Sequence, residues 1–438
     1  MNWGLVSGAV LAVLAFAAQV HSAQAQVANK VMGAISCTAS GCHELGVNEA
    51  DPESNVERNE FQVWSQTDGH AQSYLALATT QARKIAANLR EGDPQTSPYC
   101  LSCHAVAVPA HLQGENFNIE EGVTCEACHG AAGEWIETHS DLNVPIETIR
   151  KQGLFPTENP VARAGMCLDC HIGNENVFAG HRLLAAGHPR TGFELASDTR
   201  LSSHFVVDED YVERKAPRPE SVQWALGQAV AVERRMDLLA SPKTGTIGFF
   251  PQLAFFECHS CHKPMSVKRK KNVRRSGTPE LHDANIKLLS LALSRSEPAT
   301  SDRIERGRRA LQTATGRNRQ ALASAAVAMR QNARDAILAM SREEFEVGEL
   351  EQLLRTFVRA GAGGNYLDFA SAEQLMKSID WTIFAMREQG AVDEQTFRDL
   401  YALQTPVFQS VESDDRYSAG AFNRAMQAFG RALPQPTN

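Results

Sequence analysis

Apolar residues in the last third of the chain recur with helical period. Leu375, Ile379, Ile383 and Met386 follow at intervals of four, four and three, which places them on one face of a helix. Residues 317–340 form an alanine-rich stretch of high helix propensity. Breaks are expected at Glu297-Pro298, Thr315-Gly316, Gly361–Gly364 and Gly390. Residues 281–438 therefore predict a helical bundle, packed on what precedes it, with methionines that fill its core.

Before residue 281 the pattern changes. Gly, Pro and polar breaks interrupt it, and short helices joined by long loops are expected. One helix is predicted from about Asp68 to Arg90, with Leu75, Leu77, Ile85 and Leu89 apolar and Asp93-Pro94 and Ser97-Pro98 beyond its end. Phe205-Val206-Val207 and Ile247–Phe250 read as short strands. Residues 4–18 are nearly all small and apolar, and Ala23-Gln24-Ala25 supplies a cleavage pattern. Residues 1–25 thus read as an export signal, or as a membrane anchor if uncleaved; for a membrane span the stretch is short.

The net charge of −8 excludes few partners, and nothing in the composition points to nucleic acid. One basic run stands out, Lys268–Arg275, with six cations in eight residues. It reads as a solvated loop, as a docking patch for an acidic redox partner, or as a screen for nearby carboxylates.

Cysteine usage changes the picture most. Ten cysteines form five pairs, each followed at once by histidine: Cys37–Cys42–His43, Cys100–Cys103–His104, Cys125–Cys128–His129, Cys167–Cys170–His171 and Cys258–Cys261–His262. Four read Cys-x-x-Cys-His, and the first has a four-residue insert that Ala39, Ser40 and Gly41 suit. This is the attachment signature of c-type haem: two thiols bond the porphyrin edge and the next imidazole reaches the iron. Zinc sites need no histidine after every second cysteine, and a disulfide scaffold belongs to shorter chains. Five covalent haems are expected. Their faces would supply much of the apolar core in a domain over 26–280, ahead of a C-terminal helical domain over 281–438. The fold class is thus mainly α with long loops.

His43, His104, His129, His171 and His262 are the expected proximal ligands. Outside the motifs and the signal lie His70, His111, His139, His181, His188, His204, His259 and His282, a surplus over the five sixth positions. Full bis-histidine ligation favours electron transfer, and a histidine in place of methionine lowers the potential.

Trp64-Ser65-x-x-x-x-His70-Ala71, Gly122-Val-Thr-Cys125-Glu-Ala-Cys128-His129-Gly130 and Ala185-Ala-Gly-His188-Pro-Arg190 resemble segments of the multihaem cytochromes related to cytochrome c-554. So do the expanded first motif and Phe250–His262, so the resemblance runs over about residues 35–290. Cytochrome c-554 is tetrahaem, whereas five motifs are present here. The resemblance implies close-packed haems whose distal histidines come from such segments, His70 and His188 foremost. His139, His181 and His204 complete the distal set. His111 reads as a surface residue, and His282 as structural or exposed. His259 lies inside an attachment loop, where its backbone is already engaged.

Two functions follow from these residues. One is an electron carrier between redox protein partners, in need of no acid, base or nucleophile. The other is a multihaem oxidoreductase acting on a small nitrogen or sulfur compound at one open iron, against which stands the lack of any Cys-x-x-Cys-Lys motif. Membership of a membrane-associated respiratory complex is a third expectation.

Overall fold

The computed structural model describes residues 29–44, 58–141, 143–201, 203–205, 209–245, 252–262, 279–342, 345, 347, 349–366 and 368–433. The proposed export signal, the basic run Lys268–Arg275 and most of both predicted strands lie outside them. Among the described residues the regular structure is helical, with three isolated β-bridges and no strand. The fold is mainly α. No described helix is long and apolar enough to cross a membrane.

The chain divides into two compact units. The first takes residues 1–80 and 93–166, the second 81–92 and 167–438. The sequence division at residue 280 follows motif content; these units follow packing.

The first unit is built from short helices: α1 (Glu60–Thr67), α2 (Ser73–Leu77), α4 (Pro98–His104), α5 (Cys125–His129) and α6 (Ile146–Lys151). Its own cores are small. Tyr74, Leu77, Leu101 and Ala105 make one; Ala132, Trp135 and Ile149 make another. The single helix predicted over 68–90 is broken into a 3-10 turn at Gly69–Gln72, α2, and α3 (Thr80–Leu89). The reason is local. Asp68 caps the turn by accepting from the His70 N–H at 3.0 Å. The His70 carbonyl accepts the Ser73 N–H that closes the 3-10 turn and also Val123 N at 3.2 Å. Leu75, predicted apolar and inward, is exposed.

α7 (Pro160–His171) crosses from the first unit into the second. The second continues with α8 (His181–Ala185), α9 (Leu195–Leu201), α10 (Glu209–Lys215), α11 (Glu220–Ala240) and α12 (Cys258–Cys261). The helices of the bundle follow: α13 (Ala284–Leu293), α14 (Pro298–Thr315), α15 (Arg319–Met340), α16 (Leu350–Ala362), α17 (Phe369–Glu388), α18 (Glu394–Ser410) and α19 (Ala419–Ala432). Side-chain oxygens of Asn318, Asp368 and Asp393 accept the N–H groups of Ala321, Ser371 and Thr396, so α15, α17 and α18 each begin with an N-cap. Leu375, Ile379, Ile383 and Met386 all turn inward. α11 is buried on most sides and packs on α13 and α15. Its Trp224 lies parallel to Trp381 at 5.9 Å and donates to Ser378 Oγ at 3.2 Å. Thus a helix that precedes the fifth motif belongs to the core of the bundle.

Candidate haem-binding sites

In the first unit three attachment motifs are tied together by backbone and carboxylate. The expanded loop of motif one closes on itself, His43 N donating to Cys37 O at 3.2 Å. Motif two ends α4, which opens with Pro98 at its first position. Motif three is α5. Its second residue, Glu126, is buried and accepts three backbone N–H groups: Met32 and Gly33 at 2.9 Å and Ala132 at 2.7 Å. That carboxylate pins motif three to the stretch of chain entering motif one. The Cys37 and Cys125 thiols are neighbours across the same junction. Donation to Cys125, then burial, pushes the Cys37 thiol up, while the same bond pulls Cys125 down.

Ser73 joins motifs two and three. Its hydroxyl donates toward the carbonyls of His70 at 2.6 Å and His104 at 2.9 Å and accepts from Val123 N at 3.0 Å. Gly122 has φ of +77°, and a Cβ there would fall 2.6 Å from Ser73 Oγ and 2.9 Å from His70 O. Only glycine fits that turn.

Three imidazoles share one arrangement. Nδ1 of His104 meets Ser73 O at 2.8 Å, that of His139 meets Ile136 O at 2.7 Å, and that of His188 meets Pro189 O at 2.7 Å. A carbonyl can only accept, so Nδ1 carries the proton and Nε2 keeps the lone pair. His43 and His70 face carboxylates instead, Glu60 at 3.1 Å and Asp68 at 2.9 Å. These hydrogen bonds raise both imidazole pKa values.

Two pairs of rings stand opposite one another. His43 and His139 are 6.2 Å apart between ring centres, with planes 13° apart. His181 and His262 are 6.3 Å apart, with planes 24° apart. Two metal–imidazole bonds of about 2 Å each, extended to the ring centres, span roughly 6 Å. The two ring-centre distances are of that size. Trp135 meets His139 edge-on at 5.3 Å.

In the second unit, motif four ends α7, and His171 stacks on Phe193 at 4.4 Å. Motif five is α12, where His262 N donates to Cys258 O at 2.7 Å. The loop carrying His188 is held by α3: Asn88 donates to Ala186 O at 2.9 Å and Gln81 to Gly187 O at 3.0 Å. Arg190 of the same segment pairs with Asp414 at 3.0 Å and Glu373 at 3.4 Å and lies over the Phe369 ring. His204 meets Phe205 edge-on. Of the remaining histidines, His111 is exposed in a 3-10 turn. His259 Nε2 lies 2.7 Å from Asp414 Oδ1, with Tyr417 parallel to its ring. His282 is pushed down to about 3, chiefly by burial. Among the described residues no three His, Cys, Asp or Glu side chains gather as a bare metal-ion site.

Glu60, Asp68, Ser73 and Glu126 are functional supports that the motifs alone do not reveal. For Asp68 and Glu126 a signal was present: one acid two residues before a candidate ligand, one directly after an attachment cysteine.

Residues 36–130 match the family model described as cytochrome c554 and c-prime, which takes in motifs one to three. No curated protein and no solved structure matches the chain. That match and the motif chemistry support a c-type cytochrome, with haem c and electron transfer, over the matched part of the chain.

Proposed function

We propose that this c-type cytochrome carries five covalent haems, each held between two histidines, and passes electrons between redox protein partners on the periplasmic side of a bacterial membrane. The observation that carries the reading is the opposed pairs His43–His139 and His181–His262, at a spacing suited to one iron apiece. Haem supplies the one-electron chemistry. The chain holds each porphyrin by two thioethers and fixes the imidazoles through their Nδ1 partners. His43, His104, His129, His171 and His262 serve as proximal ligands, and His70, His139, His181, His188 and His204 as distal ones. With both axial positions filled, no iron is open to a substrate. The Cys37–Cys125 contact supports close approach of the haems of motifs one and three.

Export is supported by the apolar stretch 4–18 and the Ala23-Gln24-Ala25 pattern. Amino-terminal sequencing of the mature protein is expected to begin at Gln26. The helices of residues 281–438 are proposed to position the cytochrome within a membrane-associated respiratory complex.

Intact mass of the mature protein tests the haem count. Five haem increments are expected; four would remove the expanded first motif. Electron paramagnetic resonance of the oxidised protein tests the ligation. Low-spin signals alone are expected, and a stoichiometric high-spin haem would replace this reading with that of an oxidoreductase.

A further inference from the structure

The second unit contains an open cleft whose walls include His171 of motif four, Cys258 of motif five, Arg235, Glu257 and His282. Its polar lining is unbalanced. Arg190, also on the wall, is satisfied by Glu373 and Asp414. Arg235 is not. Among the described residues it has no ion pair, and its one hydrogen bond runs from Nε to Asn285 Oδ1 at 3.3 Å. Glu257 Oε1 and His282 Nδ1, 4.0 Å apart, are buried without hydrogen-bond partners. The cleft wall thus carries a half-buried guanidinium with no ion pair among the described residues, beside two buried atoms, Glu257 Oε1 and His282 Nδ1, that lack the partners buried groups require; Glu257 also hydrogen-bonds Asp368.

We propose that Arg235 is the anchor for a carboxylate of the haem attached at motif four. A guanidinium is matched by a carboxylate, which it can bind through two parallel N–H groups. In haem c the carboxylates lie on the porphyrin edge opposite the thioethers. His171 lies on the cleft wall while Cys167 and Cys170 do not, so that opposite edge is the one directed into the cleft. The fit extends to His282, which burial keeps neutral at physiological pH and which can donate from Nδ1 to a carboxylate. Glu257, raised well above the usual range by burial and by its neighbour Asp368, is held protonated against that carboxylate. Neither adds a charge that would cancel Arg235. The assignment rests on haem attachment at motif four, as proposed above.

The test is a redox titration of the full-length holoprotein with Arg235→Gln and Arg235→Lys, alongside intact mass. A cation beside the haem favours the reduced state. In Arg235→Gln one of the five potentials is expected to fall, by about tenfold in the reduction equilibrium or about 59 mV. Arg235→Lys, which keeps the charge without the fork, is expected to fall by less. Five haems attached with every potential unchanged in Arg235→Gln would overturn the anchor and leave the five-haem reading intact. Fewer than five haems in the wild type would instead overturn that reading. Should Arg235→Gln fail to accumulate, resonance Raman of Arg235→Lys decides. A displaced haem carboxylate bending band is expected, and an unchanged band overturns the proposal.

Discussion

Glu60 beside His43 and Asp68 beside His70 are the side chains best placed to tune an iron through its ligand. A carboxylate on Nδ1–H draws the proton and makes the ligating nitrogen more basic, which favours ferric iron. Glu60→Gln keeps a hydrogen-bond acceptor but removes the charge. It is expected to raise the potential of one haem by some tens of millivolts, against about 59 mV for a tenfold change in a one-electron equilibrium. A side-chain change at Ile136, whose carbonyl serves His139, is expected to leave potentials alone; redox titration separates the two. His139→Ala and His181→Ala are each expected to convert one haem to a high-spin, carbon-monoxide-reactive form, read by electron paramagnetic resonance and by difference spectra. Sequence proposes the proximal histidines because attachment chemistry sets them next to cysteine. Distal ones come from anywhere in the chain, and their partners are set only by folding. The Nδ1 acceptors were hidden for the same reason: those of His104, His139 and His188 are backbone carbonyls, which no side-chain pattern reveals.

Among the elements, the turn before α5 and the start of α9 carry separate predictions. Gly122→Ala combines a left-handed backbone with a Cβ 2.6 Å from Ser73 Oγ. The conformational part alone costs about 1–2 kcal/mol, and a lowered thermal midpoint is expected, with weaker haem incorporation at motifs two and three. Glu194, at the start of α9, is 1% exposed, and burial pushes it up to about 7. Its folded state holds a proton that the unfolded chain releases near the ordinary carboxylate value. Its contribution is therefore full below about 4.5 and is lost as the pH rises to about 7, by up to roughly 3 kcal/mol. In Glu194→Gln, denaturation midpoints compared at pH 5 and pH 7.5 are expected to show a smaller fall than in the wild type. The helices of residues 281–438 were legible because each buries one stripe against its neighbours, and that need writes a period of 3.6 into the sequence. The break in the helix predicted over 68–90 was not. It depends on the His70 carbonyl finding Val123 N, an acceptor–donor pair far apart along the chain.

At the scale of the molecule, electron exchange depends on how partners meet it. Neutralising Lys268, Arg269, Lys270 and Lys271 is expected to slow exchange with an acidic partner and to flatten its salt dependence, with haem content unchanged. Stopped-flow rates across ionic strength check this, since the Debye length falls to about 10 Å at 0.1 M. Rates indifferent to both salt and substitution would reduce the run to a solvated loop. The division of the chain into packing units was less legible than its motifs. Cysteine usage stops at Cys261, which invites a boundary near residue 280. Yet α11, from the haem-bearing part of the sequence, is a core helix of the bundle. Its nearly continuous burial replaces the one-sided stripe that would mark a boundary.

The contact between the Cys37 and Cys125 thiols also bears on biogenesis. Two neighbouring thiols are the reactants of a disulfide, and the proposed export would deliver the chain to a compartment where oxidants are at hand. Loss of two electrons and two protons to such an oxidant would join motif one to motif three and deny both a thioether. The lowered pKa of Cys125 makes it the readier thiolate of the two. Whichever haem is attached first removes one sulfur from that reaction and so protects the other site. Chain produced without haem, alkylated and mapped by mass spectrometry, is expected to contain the Cys37–Cys125 cross-link, so the order of maturation at these two neighbours becomes a matter of kinetics against oxidation.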